Sequence, residues 1–185
     1  MNKLLLVTAL TVFGLANVHS QDIHLGAKVG INFASIYGDN TGDLDPITSL
    51  VNFGVVAEMP FSEKLSFQPE LMYSIQGYSI GEDVVALNYL NLPLMGKYYL
   101  SKGFSVEVGP QIGLLLSGKY EDVDVKDNFK TIDFGVNLGL GYKLNNGLNF
   151  GARYDFGLSN INGVDGASDK YRNGVLQVSV GYFFF

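Results

Sequence analysis

Cysteine is absent from all 185 residues, so no disulfide staples this chain and no thiolate serves it as nucleophile or metal ligand. Tryptophan is absent too, and the only histidines are His19 and His24, which leaves little for general-base catalysis or imidazole ligation. Charge is sparse and skewed: 12 basic residues face 18 acidic ones, a formal net charge of -6. Without basic clusters the chain lacks the electrostatic footprint of a nucleic-acid binder, and no nucleic acid is expected among its partners. Long apolar runs are missing beyond the first twenty residues, although 47% of the chain is hydrophobic. Its apolar residues are therefore dispersed singly among polar ones.

The exception is the beginning. Lys3, an apolar run over 4–16 and Val18-His19-Ser20 have the layout of a secretory signal peptide with small residues before the cut, so cleavage is expected after Ser20. A run of about thirteen residues falls short of the roughly 20 that a helix needs to cross a bilayer. The chain is thus divided into a signal peptide, 1–20, and one domain, 21–185.

What is present is a period of two, at its clearest over 131–159. Ile132, Phe134, Val136, Leu138, Leu140 and Tyr142 alternate with polar residues and glycines, and after Asn145-Asn146-Gly147 the pattern resumes with Leu148, Phe150, Ala152, Tyr154, Phe156 and Leu158. Such alternation predicts strands, and the Asn-Asn-Gly spacer suits a three-residue hairpin loop with glycine in the left-handed position. Similar strands are read at 23–33, 52–59, 65–76, 87–100, 104–117 and 175–184. Between them, loops predicted at 35–50, 77–86, 118–130 and 160–172 alternate with short turns at 60–64, 101–103 and 145–147. Eight strands with short turns at one end and long loops at the other match the plan of a transmembrane barrel.

Alternation leaves open which face points out, and volume decides it. The interior of an eight-stranded barrel just accommodates side chains or one small ligand. Five or six large apolar residues from every strand would overfill it, whereas the Gly, Ser, Asn and Gln face fits. The fold expected is all-β, an eight-stranded antiparallel up-and-down transmembrane β-barrel, with a secreted lipocalin-like ligand-binding barrel as the alternative.

Several segments in order, Gly26-Ala27-Lys28-Val29-Gly30-Ile31-Asn32, Gln68-Pro69-Glu70-Leu71, Leu90-Asn91-Leu92-Pro93-Leu94, Gly109-Pro110-Gln111-Ile112-Gly113, Gly139-Leu140-Gly141-Tyr142 and Arg153-Tyr154, carry a family likeness. The chain resembles the small outer-membrane β-barrel proteins that include the PorT-like group, over essentially the whole mature sequence. The resemblance implies residence in the outer membrane and contact with its lipid and lipopolysaccharide. The end of the chain, with Gln177, Tyr182, Phe184 and Phe185, is similar to the carboxy-terminal signal read by the barrel-assembly machinery. Ser179 stands where that pattern usually has Gly, and Phe185 extends past it.

Nine charged residues take the inward parity: Lys28, Glu58, Glu70, Lys97, Glu107, Asp133, Lys143, Arg153 and Asp155. They are expected to form a structural network that fills the lumen, with Lys97 opposite Glu107 and with Arg153 opposite Gly139, whose missing side chain leaves it room. A small-solute or ion channel is the competing use of the same residues. No catalytic residue, cofactor or metal is expected: His24 is the mature chain's one histidine, and the acidic loops lack the residue order of a calcium-binding loop. The functional expectation is a non-enzymatic barrel serving envelope structure, adhesion or partner contact through its outer loops or periplasmic turns, or an accessory role in protein export.

Overall fold

The computed structural model describes residues 23–42, 44–164 and 166–184; residues 1–22, which include the expected signal peptide, and Asp43, Asp165 and Phe185 lie outside the described residues. Eight long strands run up and down: β1 (His24–Gly38), β2 (Asp45–Pro60), β3 (Leu65–Ile80), β4 (Asp83–Tyr99), β5 (Phe104–Tyr120), β7 (Ile132–Lys143), β8 (Leu148–Gly157) and β9 (Tyr171–Phe183). A two-residue strand, β6 (Val123–Asp124), and one 3-10 turn (Lys126–Asn128) lie between β5 and β7. Every neighbour pairs antiparallel, β1 closes onto β9, and β4 onto β5, so the sheet is a ring. Closure leaves no long strand with an open edge, the condition hydrocarbon imposes on any spanning sheet.

The pleat sorts the side chains as the alternation predicts. Val55, Val108 and Leu138 are 58%, 54% and 57% exposed, and like residues on every long strand form a continuous apolar belt that no aqueous surface would tolerate. That belt also removes the lipocalin-like alternative, whose apolar face would line the cavity. Tyr98, Tyr142 and Tyr182 stand outward near the short-turn end, where amphipathic rings suit an interface. Inside, the buried set is mostly polar: Lys28, Asn32, Glu58, Glu70, Lys97, Asn137, Arg153 and their neighbours.

Three turns follow their sequences. Leu144 and Leu148 bracket Asn145-Asn146-Gly147, with Gly147 at φ +89. The turns at 61–64 and 100–103 are equally short, and with His24 and Phe184 they define the turn end of the barrel.

At the opposite, loop end the strands continue further than alternation indicates. The expected loop at 77–86 shrinks to a turn at Gly81–Glu82, and the one at 35–50 to residues 39–44. Register shifts in β2 and β5 end the alternation there, whereas β3 and β4 keep theirs, and at 77–86 the pattern is hidden because the inward Tyr78 and Val85 are themselves apolar. One extra residue of β2 lies between Ser49 and Asn52 opposite β1, and Leu116 is the extra residue of β5 opposite β4. Each bulge switches the parity of its strand, so a strict period-two reading ends there. The switch in β5 also corrects one face assignment: Ser117, expected inside, faces outward beside Asn88, whose side-chain amide donates to it at 2.7 Å.

Candidate functional site

The lumen is the only place where charged side chains gather out of solvent among the described residues. From the turn end upward it is organised in layers. In the lowest, Glu58 on β2 accepts from Lys143 on β7 (2.9 Å) and from the hydroxyl of Tyr99, and lies 3.9 Å from Lys97. Lys97 pairs with Glu107 directly across the β4–β5 register at 3.3 Å. The Lys143 ammonium sits 4.6 Å from the centre of the Phe183 ring, a cation–π contact that closes the layer from below.

In the middle layer Glu70 on β3 is the hub. It receives Lys28 on β1 (2.7 Å), Arg153 on β8 (2.5 Å) and the Gln68 amide (2.7 Å). Arg153 fits because Gly139 lies opposite it: a Cβ there would come within 2.6 Å of the arginine's own. Its Nε donates to Gln177 at 2.8 Å, and Lys97 donates to Gln68 at 3.1 Å, which ties the middle layer to the lowest.

The upper layer carries Asp133 on β7 and Asp155 on β8, both buried, within ion-pairing distance of no cation among the described residues. Their donors are neutral: Ser159 (2.5 Å) and Asn173 (2.8 Å) to Asp133, and Gln111 to Asp155. Asn173 also donates to the Tyr89 hydroxyl at 3.3 Å.

Ring order gives these contacts their meaning. Among eight strands, those four apart are diametrically opposed. Lys143–Glu58 joins β7 to β2, Arg153–Glu70 joins β8 to β3, and Asn173–Tyr89 joins β9 to β4. The bore is therefore strutted across its diameter at three heights. Alternation identifies which charges point inward; it does not give these opposed partners, because they depend on ring closure. The neutral links Gln68, Tyr99, Gln111 and Tyr89 were legible only as inward positions.

Above the upper layer the lumen becomes apolar. Ile36, Tyr78, Val85, Leu87, Tyr89, Leu115 and Ile161 form a buried cluster that Phe129 and Tyr171 cover. Ile161, fully buried, is brought there by the β8–β9 loop, held by its amide donating to Tyr171 and by its carbonyl accepting from Lys130. Of this lid, Ile36, Tyr78, Val85, Phe129, Ile161 and Tyr171 come from segments expected to be loops, whereas Leu87, Tyr89 and Leu115 belong to expected strands. On its outer side, above the belt, the Tyr120 hydroxyl donates to Asp83 at 2.6 Å, and that hydrogen bond raises its pKa above the ordinary phenol value. The two ends differ in shape: the turn end opens as a recess of 620 Å³ lined by His24, Glu58, Tyr99 and Lys143, while the loop end carries a 250 Å³ notch beside the lid.

Gln177 points into the lumen, whereas Tyr182 and Phe184 face outward, so the residues resembling an insertion signal occupy both faces of β9 and the residue following it. Phe185 lies outside the described residues. His24 packs edge-on to Phe183, ring centres 6.4 Å apart, at the rim of the recess.

Residues 16–163 match a family model described as outer membrane protein beta-barrel domain. A search of curated proteins finds no match. Among solved structures, Neisserial surface protein A aligns with a TM-score of 0.58 at 14% identity, over 90% of this chain and 100% of its own. Ail, the attachment invasion locus protein of Yersinia pestis, aligns with a TM-score of 0.53 at 11% identity over 90% and 100%. OprG from Pseudomonas aeruginosa gives 0.51 at 15% identity over 90% and 97%. At these identities the likeness is one of fold.

Proposed function

Because the chain belongs to the outer membrane protein beta-barrel family, and so resides in the outer membrane in contact with lipid, we propose that it acts as a non-enzymatic, closed barrel whose partners meet its ends. One observation carries this reading: struts cross the lumen at three heights beneath an apolar lid. A conducting path would have to break Arg153–Glu70, a buried, hydrogen-bonded ion pair whose separation leaves uncompensated charge and costs on the order of 3–5 kcal/mol. Planar-bilayer recordings of the pure protein are expected to show no steady unitary conductance; discrete, stable openings overturn the proposal.

We assign partner contact to the extracellular loop end, where Asp39, Glu82, Glu121, Asp122, Asp124 and Asp127 outnumber the nearby lysines. Ail was crystallised with the heparin analogue sucrose octasulfate. An acidic rim opposes a sulfated ligand, so the partner proposed here is neutral or basic, or anionic lipopolysaccharide bridged through a divalent cation. A pull-down from detergent-solubilised envelopes, with a loop-neutralised variant as control, tests this. Capture that is unchanged by neutralising the loop acids would move the contact to the turn end, whose 620 Å³ recess supports the second reading, a periplasmic partner in protein export. Removal of 1–20 by signal cleavage and insertion by the barrel-assembly machinery through 177–185 belong to the same proposal. Amino-terminal sequencing of the mature protein and the assembly yield of Phe184→Ala test these two steps.

Catalysis has little support in this arrangement. His24 touches an aromatic ring rather than a serine or carboxylate that could form a nucleophile–base pair with it.

A further inference from the structure

The buried charges of the lumen do not balance, and the imbalance is local. Lys28, Lys97, Lys143 and Arg153 are shared among Glu58, Glu70 and Glu107, while Asp133 and Asp155 have no cation within ion-pairing distance among the described residues. Arg153, two positions from Asp155 on the same face, is committed through Nη2 to Glu70 and through Nε to Gln177. Isolated ionised carboxylates are expensive to bury in a low-dielectric interior, so a pair of them calls for a counter-charge.

The geometry around the pair supplies a place for one. Gly135 and Gly157 face each other across the β7–β8 ladder and leave a floor without side chains. Asp155 Oδ1 lies in the space a side chain on Gly135 would take, between Asp133 and Asn137, which flank that glycine on the same face. That oxygen has no hydrogen-bond partner, and neither do Asn137 Oδ1 and Asn173 Oδ1, although both asparagines are fully buried. Their amide nitrogens are already used: Asn137 donates to Gln111, Asn173 to Asp133 and Tyr89. Four side chains from three neighbouring strands thus bring two carboxylates and two amide carbonyl oxygens, with no nitrogen or sulfur ligand, to one side of the upper lumen.

We propose that this cluster of buried oxygens binds a single hard cation, Ca²⁺. An all-oxygen donor set selects against the softer transition metals. Two carboxylates match a divalent charge, and Ca²⁺ accepts irregular sets of carboxylate and amide oxygens, completed by water, where Mg²⁺ demands near-octahedral geometry. The proposal goes beyond the closed-barrel reading and does not depend on the identity of any partner at the loops.

The test is calorimetric titration of the full-length folded barrel in detergent micelles with CaCl₂, and separately with MgCl₂ and NaCl. One Ca²⁺ per barrel is expected, with no comparable heat from Mg²⁺ or Na⁺. Asp133→Asn and Asp155→Asn should each weaken binding at least about tenfold, and Asn137→Ala, which keeps both charges, should weaken it by a smaller factor. A control with Asp122, Asp124 and Asp127 changed to Asn should bind as the parent does. Absence of Ca²⁺ heat in the parent overturns the proposal and leaves the pair holding a proton or water. Loss of binding in the loop control, or equal binding of Na⁺, overturns it as well. Heat-modifiable gel mobility confirms that each variant is folded. Should the aspartate variants fail that check, the parent's stoichiometry read against the loop control decides, together with the rise in its thermal midpoint from EGTA to Ca²⁺.

Discussion

The turn half and the loop half of the lumen share one inward parity and differ in electrical plan. Near the turns, four cations and three carboxylates interlock through neutral glutamines, each charge within reach of an opposite one. Towards the loops, two carboxylates rest on neutral donors under an apolar cluster. The first arrangement holds the wall strands to one another. The second leaves oxygen atoms unspoken for, so it resists replacement less and has more capacity to take up something from outside.

The comparison can be broken most forcefully at Glu70. Glu70→Gln strands Lys28 and Arg153, both buried, and should destabilise the barrel by about 3–5 kcal/mol in urea unfolding from micelles. A loss under about 1 kcal/mol would mean the turn half is no more committed to its charges than the loop half. Next is Ile161→Ala in the lid, where deleting a fully buried side chain should cost about 2–4 kcal/mol, confined to the loop half. Hydrogen exchange at the Lys130 amide, which donates to the Ile161 carbonyl, should quicken while the Arg153 region stays protected. Glu58→Gln should cost less, about 1–3 kcal/mol, because Lys97 keeps Glu107 and Lys143 is partly solvated. Smallest is Asp155→Asn in chelator, expected within about 1 kcal/mol of the parent and stabilising in sign, since it removes an unpaired buried charge. Marked destabilisation there would show that Asp155 has a cationic partner after all.

Much of this architecture is readable from the chain, and the failures have physical causes. The belt and the hairpin around Asn145-Asn146-Gly147 follow from side-chain alternation and one glycine. The loop-end parts of β2 and β5 are obscured by the bulges at 50–51 and Leu116, where one added residue moves the side chains towards the loops to the other face, and those of β3 and β4 by apolar residues on the inward face. Lys97 and Glu107 can be matched by counting around a short turn, because hairpin register is local. Arg153 and Glu70 lie 83 positions apart, and only the circumference of the closed ring brings them together. The lid was least legible: Tyr78, Val85 and Ile161 sit in segments whose glycines and acids suggest solvent, and their burial depends on loops meeting over the bore.

The diametric struts also order events in time. No strut can form from a partial sheet, because its two ends belong to strands that come within reach only when β1 has met β9. Lys143–Glu58, Arg153–Glu70 and Asn173–Tyr89 are therefore expected as late contacts, made after neighbouring strands have paired. Contacts absent from the transition state govern how fast a structure comes apart rather than how fast it forms. For this barrel the lumen then acts as a latch: weakening Arg153–Glu70 should leave the folding rate into micelles nearly unchanged and accelerate unfolding, which makes residence in the membrane a property of its interior.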